Sequence, residues 1–460
     1  MTLADIAAVV HGTVCDGDPA TTVTAPVRYE TARVEPGGMF AAFAGARRDG
    51  HDFAARVVAD GAAAVLASRA VGVPAVVVGD VRAAFQALAA ELVTRLPDVH
   101  RIGVTGSSGK TSTKDLLGQV LGRLGPTVAP PGNRNNELGV PETVLLTTAD
   151  TRFLVTELGA RHVGDIAALM PVVRPHTGVV VGVGSAHIGE FGGREAIARA
   201  KAELVEALPA VGLAVLNADD PVVAAMAGRT QARVVTFGRD PSARVRAERV
   251  VLDEAARARF ELRTPAGAAE VALRLHGEHF VTVALAAAAV ALDHTDDIGL
   301  VAEALSSARP RSAGRMRVTE RPDGVTVVDD AYNANPESMV AGLRTLVGMA
   351  AGRRTVAVLG QMNELGEGSA AAHAEVGQAA VRLGVDVVVA VGNRDAAGYG
   401  GMYVPDREGA ADLLRELVRP GDVVLVKASN GLGLSDLAER MAGQSVRSAP
   451  PSTGTEMPVR

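Results

Sequence analysis

The sequence predicts an α/β protein of three domains, and three observations lead there. The chain has 460 residues, which corresponds to roughly three ordinary domains. Strand-like apolar runs alternate with helical stretches along most of it, the pattern of parallel sheets covered by helices. The pattern restarts twice, at HRIGVTGSSGKT (100–111) and near residue 313.

The first 98 residues alternate helix and strand patterns, as in FAARVVADGAAAVLAS followed by VPAVVVGDV, and hold no phosphate loop. The second unit opens with a short strand, a Gly/Ser loop and a helix. Leu117, Leu121 and Leu124 form that helix's apolar stripe, with Gly125-Pro126 as its expected end. Strand-like runs follow: TRFLVTE, HTGVVVGVG, GLAVLNAD and ARVVTFG. Residues 241–275 read as antiparallel strands added to that sheet. The third unit carries VTVVDD, RTVAVLG, VDVVVAVG and GDVVLVKAS. The polar, Pro-containing end, SVRSAPPSTGTEMPVR, reads as a disordered tail.

Composition narrows the function. Hydrophobic residues make up 48 % and aromatics 3 %, and the net charge of −6 argues against a nucleic-acid surface. The lone Cys15 rules out an internal disulfide framework and fits a reducing compartment. The first residues lack the layout of a signal peptide, and no run offers the ~20 apolar residues of a membrane helix. A cytoplasmic, soluble protein is expected.

The stretch TGSSGKTS (105–112) carries the chemistry. A standard Walker loop is G-x-x-x-x-G-K-[ST], but its first glycine position is Val104 here. The small residues Thr105, Gly106, Ser107, Ser108 and Gly109 still let backbone N–H groups face an anion at a helix start. Lys110 would neutralise phosphate charge, and Thr111 would hold Mg²⁺. The alternative is an ordinary Gly-Ser turn before a helix.

Three further residues stand out. Glu157 ends the strand FLVTE, where an acid near a phosphate loop serves Mg²⁺, or is simply solvated. His187 lies in the Gly-rich loop GVGSAHIGEFGG past another strand, where α/β folds place ligands. Lys201 shares one face of a predicted helix with Ile197, Leu204 and Leu208, at roughly 100° per residue. It is either buried and chemically special, or snorkels with its ammonium in water.

Together these pieces resemble the Mur ligases, the ATP-dependent amide-forming enzymes of peptidoglycan precursor synthesis. The resemblance spans about residues 28–440 and rests on motifs in order: TGSSGKTS (105–112), PGNRNNELGVP (131–141), TELGA (156–160), SAHIGEFGGREAIARAKAE (185–203), LNADDP (216–221), DDAYNANPES (329–338) and LGQMNELG (359–366). The short TG-x-x-GKT loop of that family accounts for Val104.

The resemblance implies a uridine-nucleotide domain over 1–98, an ATP-binding domain over 99–312, a C-terminal Rossmann-like domain over 313–446 that takes the incoming dipeptide, and a tail over 447–460. It implies that residues 105–112, including Ser112, cradle ATP, joined by Arg315, Asp330, Tyr332 and Asn333. Two Mg²⁺ ions are implied, on Thr111, Glu157, His187 and a Lys201 carbamylated by CO₂. Asn135, Asn136, Asn363 and Glu364 would meet substrate. The implied substrates are UDP-N-acetylmuramoyl-tripeptide and D-alanyl-D-alanine, joined through an acyl phosphate by a monomeric enzyme.

Three departures from the family pattern concern substrate contacts. Phe280 and Val283 replace two asparagines, Asn430 stands at an arginine position, and Ala32 occupies an arginine position in ETARVEPG. A runner-up within the family adds the third amino acid instead and typically carries D-N-P-R, which occurs nowhere in this chain. A non-ligase nucleotide-binding protein on the same loop is the alternative outside the family.

Overall fold

The structure is a computed structural model that describes residues 1–45 and 48–443; the expected tail over 447–460 lies outside the described residues. Among the described residues the strands form three sheets of five, nine and six strands.

The five-stranded sheet runs Thr13–Cys15, Ala75–Val77, Ala64–Ala67, Met39–Ala41, Val27–Arg28, all parallel except Thr13–Cys15. Helix Leu3–Val10 starts on a capping box, with Thr2 and Asp5 each satisfying the other's backbone N–H. Its Leu3 and Ile6 join Met39, Leu66 and Phe85 in one core. Tyr29, Phe43 and Phe85 meet edge to face, with ring centroids 5.6–6.3 Å apart.

The nine-stranded sheet positions the site. Third from one edge lies β1 (His100–Thr105), flanked by β2 (Phe153–Glu157) on one side and β3 (Thr177–Val180) on the other, all parallel. All three are buried on both faces, so they read as continuous apolar runs rather than alternating ones. Register sets Val104 beside both Glu157 and Val179, so the carboxyl ends of three adjacent strands finish together. Gly103 lets helix α2 (Arg194–Glu206) lie close: a Cβ there would come within 3.0 Å of Leu204 Cδ1.

Helix α1 (Lys110–Leu121) stops earlier than its leucine stripe predicts. After Leu121 the chain tightens into short-range bonds, Arg123 N–H to the Val120 carbonyl and Leu124 N–H to that of Leu121. Leu124 still packs on the core from outside the helix. The expected antiparallel addition also differs at its join. Val245–Leu252 pairs parallel with Arg233–Gly238, and only Arg257–Thr264 and Gly267–His276 continue antiparallel. Helix α3 (Phe280–Ala291) is apolar all round and is buried between this sheet and α1.

The six-stranded sheet runs Arg317–Glu320, β4 (Thr326–Asp329), β5 (Val423–Lys427), Thr355–Gly360, Val387–Val391, Met402–Val404. Only its first edge pair is antiparallel. The edge strand Met402–Val404 has no counterpart among the expected strands: three largely exposed residues leave too little pattern to read. Helix α4 (Pro336–Ala350) begins on a capping box of Asn335 and Ser338.

Candidate active site

The loop between β1 and α1 holds its shape through its glycines. Gly106 and Gly109 have φ of 153° and 80°, and a Cβ on either would meet Val181 at 3.1–3.2 Å. Ser107 N–H donates to the Gly182 carbonyl at 2.9 Å, and Thr105 Oγ1 to the Leu158 carbonyl at 2.9 Å. The phosphate loop is therefore tied to the loops after β2 and β3. Lys110 Nζ donates to the Gly106 carbonyl at 2.7 Å. Burial lowers its pKa, while the Glu157 charge pulls the other way.

Glu157 is 2 % exposed, so it is not a solvated strand end. Thr111 Oγ1 donates to its Oε2 at 2.7 Å, and Asn135 Nδ2 donates to its Oε1 at 2.9 Å. A buried carboxylate and a hydroxyl in contact at the mouth of a phosphate loop suit an oxygen-seeking divalent cation such as Mg²⁺.

Lys201 is 2 % exposed and lies with Ile197 and Leu204 on the buried face of α2, which rules out the snorkelling reading. Its ammonium sits 5.8 Å from the centre of the Phe191 ring. Burial first, and the Lys110 charge second, push its pKa down to about 7. An amine in that range is largely neutral at physiological pH and therefore nucleophilic.

His187 takes φ of 60° at the start of the short helix Ile188–Phe191. It pairs with Glu364 of the six-stranded sheet's unit, and Arg161 lies 3.1 Å from Glu364 and 3.5 Å from Glu190. The ligand atoms of His187, Glu190 and Glu364 lie within 4.8 Å of one another, a donor set that suits a cation. Burial raises the Glu364 pKa, but the bond from His187 and the nearby charges outweigh it and lower the value overall. Sequence reasoning misses Glu190, although its spacing three after His187 on one turn is a readable signal.

The six-stranded unit reaches the 105–111 loop through Arg315 and Asn335, and the loop after β3 through Glu337, while Tyr332 stacks on Arg315. Arg315 Nη2 donates to Thr111 Oγ1 at 3.2 Å, and its guanidinium lies 4.4 Å over the Tyr332 ring. Glu337 accepts from Ser185 N–H and Oγ, each at 2.9 Å. Neither Asn335 nor Glu337 is among the residues the sequence singles out.

Other expected residues stand apart from this cluster. Asp330 and the Asn333 carbonyl accept from Lys427 Nζ at 2.5 and 3.1 Å, so they brace the Tyr332 segment from behind. Asn136 is exposed, and its Oδ1 accepts from the Leu138 and Gly139 N–H groups at the start of helix Gly139–Val144. That bond commits its side-chain oxygen to the helix start; of the two asparagines only Asn135 reaches Glu157. Asn363 is exposed, and its Oδ1 accepts from Gln361 at 2.8 Å. Ser112 and Phe280 line a small cleft with Gln119, Arg311 and Arg315. Of the other departures, Val283 backs Gly109, Asn430 is exposed on a turn, and Ala32 is exposed beside Arg33, which pairs with Glu30 at 3.0 Å.

Comparison with known proteins agrees with this geometry. The profiles "Mur ligase family, catalytic domain", "Mur ligase middle domain" and "Mur ligase, glutamate ligase domain" match residues 26–108, 104–291 and 314–430. The chain is 49 % identical to the UDP-N-acetylmuramoyl-tripeptide–D-alanyl-D-alanine ligase of Mycobacterium tuberculosis, over 96 % of this chain and 97 % of the relative. Crystal structure I of MurF from Acinetobacter baumannii superposes with TM-score 0.85 at 31 % identity, over 96 % of this chain and 99 % of that one. MurF ligase from Thermotoga maritima in complex with ADP superposes with TM-score 0.78 at 30 % identity, over 92 % and 98 %. With three successive family domains along one chain and full-length relatives on both measures, this chain belongs to the Mur ligase family.

Proposed function

We propose that the chain joins UDP-N-acetylmuramoyl-tripeptide to D-alanyl-D-alanine, consuming ATP and releasing ADP and phosphate. The observation that carries this reading is the meeting of Lys110, Thr111 and Glu157 with Arg315 from the third domain, in a chain whose full-length relatives bear that ligase name. The runner-up that adds the third amino acid has no observation in its favour.

A carboxylate is a poor electrophile, so the tripeptide carboxylate is first phosphorylated and the dipeptide amine then displaces phosphate. The first step brings two anions together, and the cationic groups Lys110 and Arg315 offset that repulsion. Mg²⁺ on Thr111 and Glu157 would supply further positive charge to the phosphates. His187 and Lys201 are proposed to serve a second such ion. Lys201 would do so as a carbamate, whose formation needs the neutral amine that burial favours. The amine attacks CO₂ and loses a proton, which turns a cation into an anionic oxygen donor. The third-domain contacts Glu337–Ser185 and Asn335–Ser108 hold the halves of the site together and keep water from the acyl phosphate.

No helix among the described residues is long and apolar enough to cross a membrane. We propose a cytoplasmic site of action and a monomeric enzyme; the free Cys15 is in keeping with a reducing compartment. The test is phosphate release from ATP with each substrate omitted in turn. Turnover should require both the UDP-linked tripeptide and D-alanyl-D-alanine; equal turnover without the dipeptide would overturn the reading.

A further inference from the structure

The segment 309–315 leaves helix Ile298–Ser307 of the central unit and leads into the first strand of the third, Arg317–Glu320. It lies against α1 in a regular register. Gln119 clamps Arg309 from both sides: its Nε2 donates to the Arg309 carbonyl and its Oε1 accepts from Arg309 N–H, each at 3.0 Å. Ser312 Oγ donates to Asp115 Oδ2 at 2.5 Å. Arg315 Nη2 donates to Thr111 Oγ1 at 3.2 Å. Gln119, Asp115 and Thr111 are spaced four apart, so they form one row along the helix, about 6 Å per step. The connector descends that row in steps of three, with its last rung at the phosphate loop.

The middle rung is the buried one. Ser312 and Asp115 are each 7 % exposed and Lys114 is 3 % exposed. Lys114 Nζ donates to the other Asp115 oxygen at 2.5 Å and to the Pro130 carbonyl. Ser312 Oγ also accepts from Gly132 N–H at 2.8 Å, which fixes the start of the loop that delivers Asn135 to Glu157. A single hydroxyl thus registers two loops on α1, one carrying Arg315 and one carrying Asn135.

We infer that Ser312 and Asp115 are positioning residues for nucleotide binding: they set where Arg315 meets the phosphate loop. This rests on the reading of the 105–111 loop as the ATP site. Losing the Ser312 hydroxyl strands a buried carboxylate oxygen and a backbone N–H, while Thr at that position keeps the hydroxyl.

The test uses the full-length chain, with ADP binding measured by displacement of a fluorescent ADP analogue, alongside ATP and dipeptide KM values. Ser312→Ala should weaken ADP binding and raise the ATP KM about tenfold, with the dipeptide KM within about twofold. Ser312→Thr should recover most of the loss. In an Arg315→Ala background, Ser312→Ala should add less than about twofold, because the group it positions is gone. Equal losses with and without Arg315, or unchanged ADP binding in a folded Ser312→Ala protein, would overturn the inference. If Ser312→Ala does not fold, the shallower rung Gln119→Ala serves in the same cycle: a loss seen where Arg315 is present and absent from the Arg315→Ala background supports the inference, and any other result overturns it. A wild type that binds ADP but turns over without the dipeptide would sink the ligase reading and leave this test intact.

Discussion

Asn335 Nδ2 donates to Ser108 Oγ at 2.9 Å, joining the first turn of α4 to the phosphate loop across 227 positions of sequence. The same side chain caps α4 through its Oδ1, which accepts from Ser338 N–H at 2.9 Å. The two roles separate by chemistry. Asn335→Asp keeps the acceptor for the cap, loses the donor to Ser108, and points a carboxylate at a loop built for anions. The expected result is a melting temperature within about 2 °C of wild type and kcat/KM for ATP lower by roughly 10- to 100-fold. Thermal melts beside steady-state kinetics check both halves.

Glu157 has both oxygens bonded and little exposure, so Glu157→Gln preserves shape while removing charge. ADP-forming turnover should fall roughly 100-fold or more, and raising Mg²⁺ should not recover it. A variant within threefold of wild type across a Mg²⁺ titration would take Glu157 out of the metal's reach.

For Lys201 the direction of the pH dependence can be worked out. In the folded chain its proton leaves near pH 7; in the unfolded chain it is held to near 10.5. Between those values the unfolded state binds more protons, so stability rises with pH and neutral pH is the costly end. In CO₂-free buffer at about pH 7.5, Lys201→Met should be more stable than wild type, by an amount on the order of a few kcal/mol. The gap should close as pH approaches about 10, as read by denaturant melts. The same variant should lose turnover, and Lys201→Ala should regain part of it from millimolar short carboxylic acids. Unchanged turnover in Lys201→Ala would defeat the carbamate proposal.

Glu337 makes two bonds to Ser185 across the interface between sheets. Glu337→Ala should loosen that interface. Small-angle scattering should show a larger radius of gyration, and the dipeptide KM should rise about three- to tenfold. An unchanged scattering profile together with an unchanged KM would show that other contacts hold the closed arrangement.

What is legible in the sequence is local. The 3.6-residue period places Lys201 on a buried face, and the Gly-Lys-Thr run marks a candidate phosphate loop whose odd spacing at Val104 only the family resemblance accounts for. Asn136 carries a local signal that points away from substrate: an asparagine just ahead of a helix bonds nearby backbone N–H groups before it serves as a ligand. What is not legible depends on distant pairing. Lys427 under Asp330 and Ser312 on Asp115 are buried polar groups whose partners lie 97 and 197 positions away. The apolar strand pattern shows Lys427 heading inward but not whom it meets, and Ser312, in an irregular connector, has no period to read at all.

The strand β5 arrives last in the chain yet takes a central place in its sheet, between β4 and Thr355–Gly360. Until the ribosome has released residue 427, the two strands on one side of that place and the three on the other have no common edge to join. Lys427, at the end of that strand, also braces the Tyr332 segment. A growing chain therefore cannot assemble its third domain early and work half-made; non-local closure of this kind is slow, and the nascent edges need shielding in the meantime. Truncations short of residue 427 should be handled in the cell as folding failures, not as weakened enzymes.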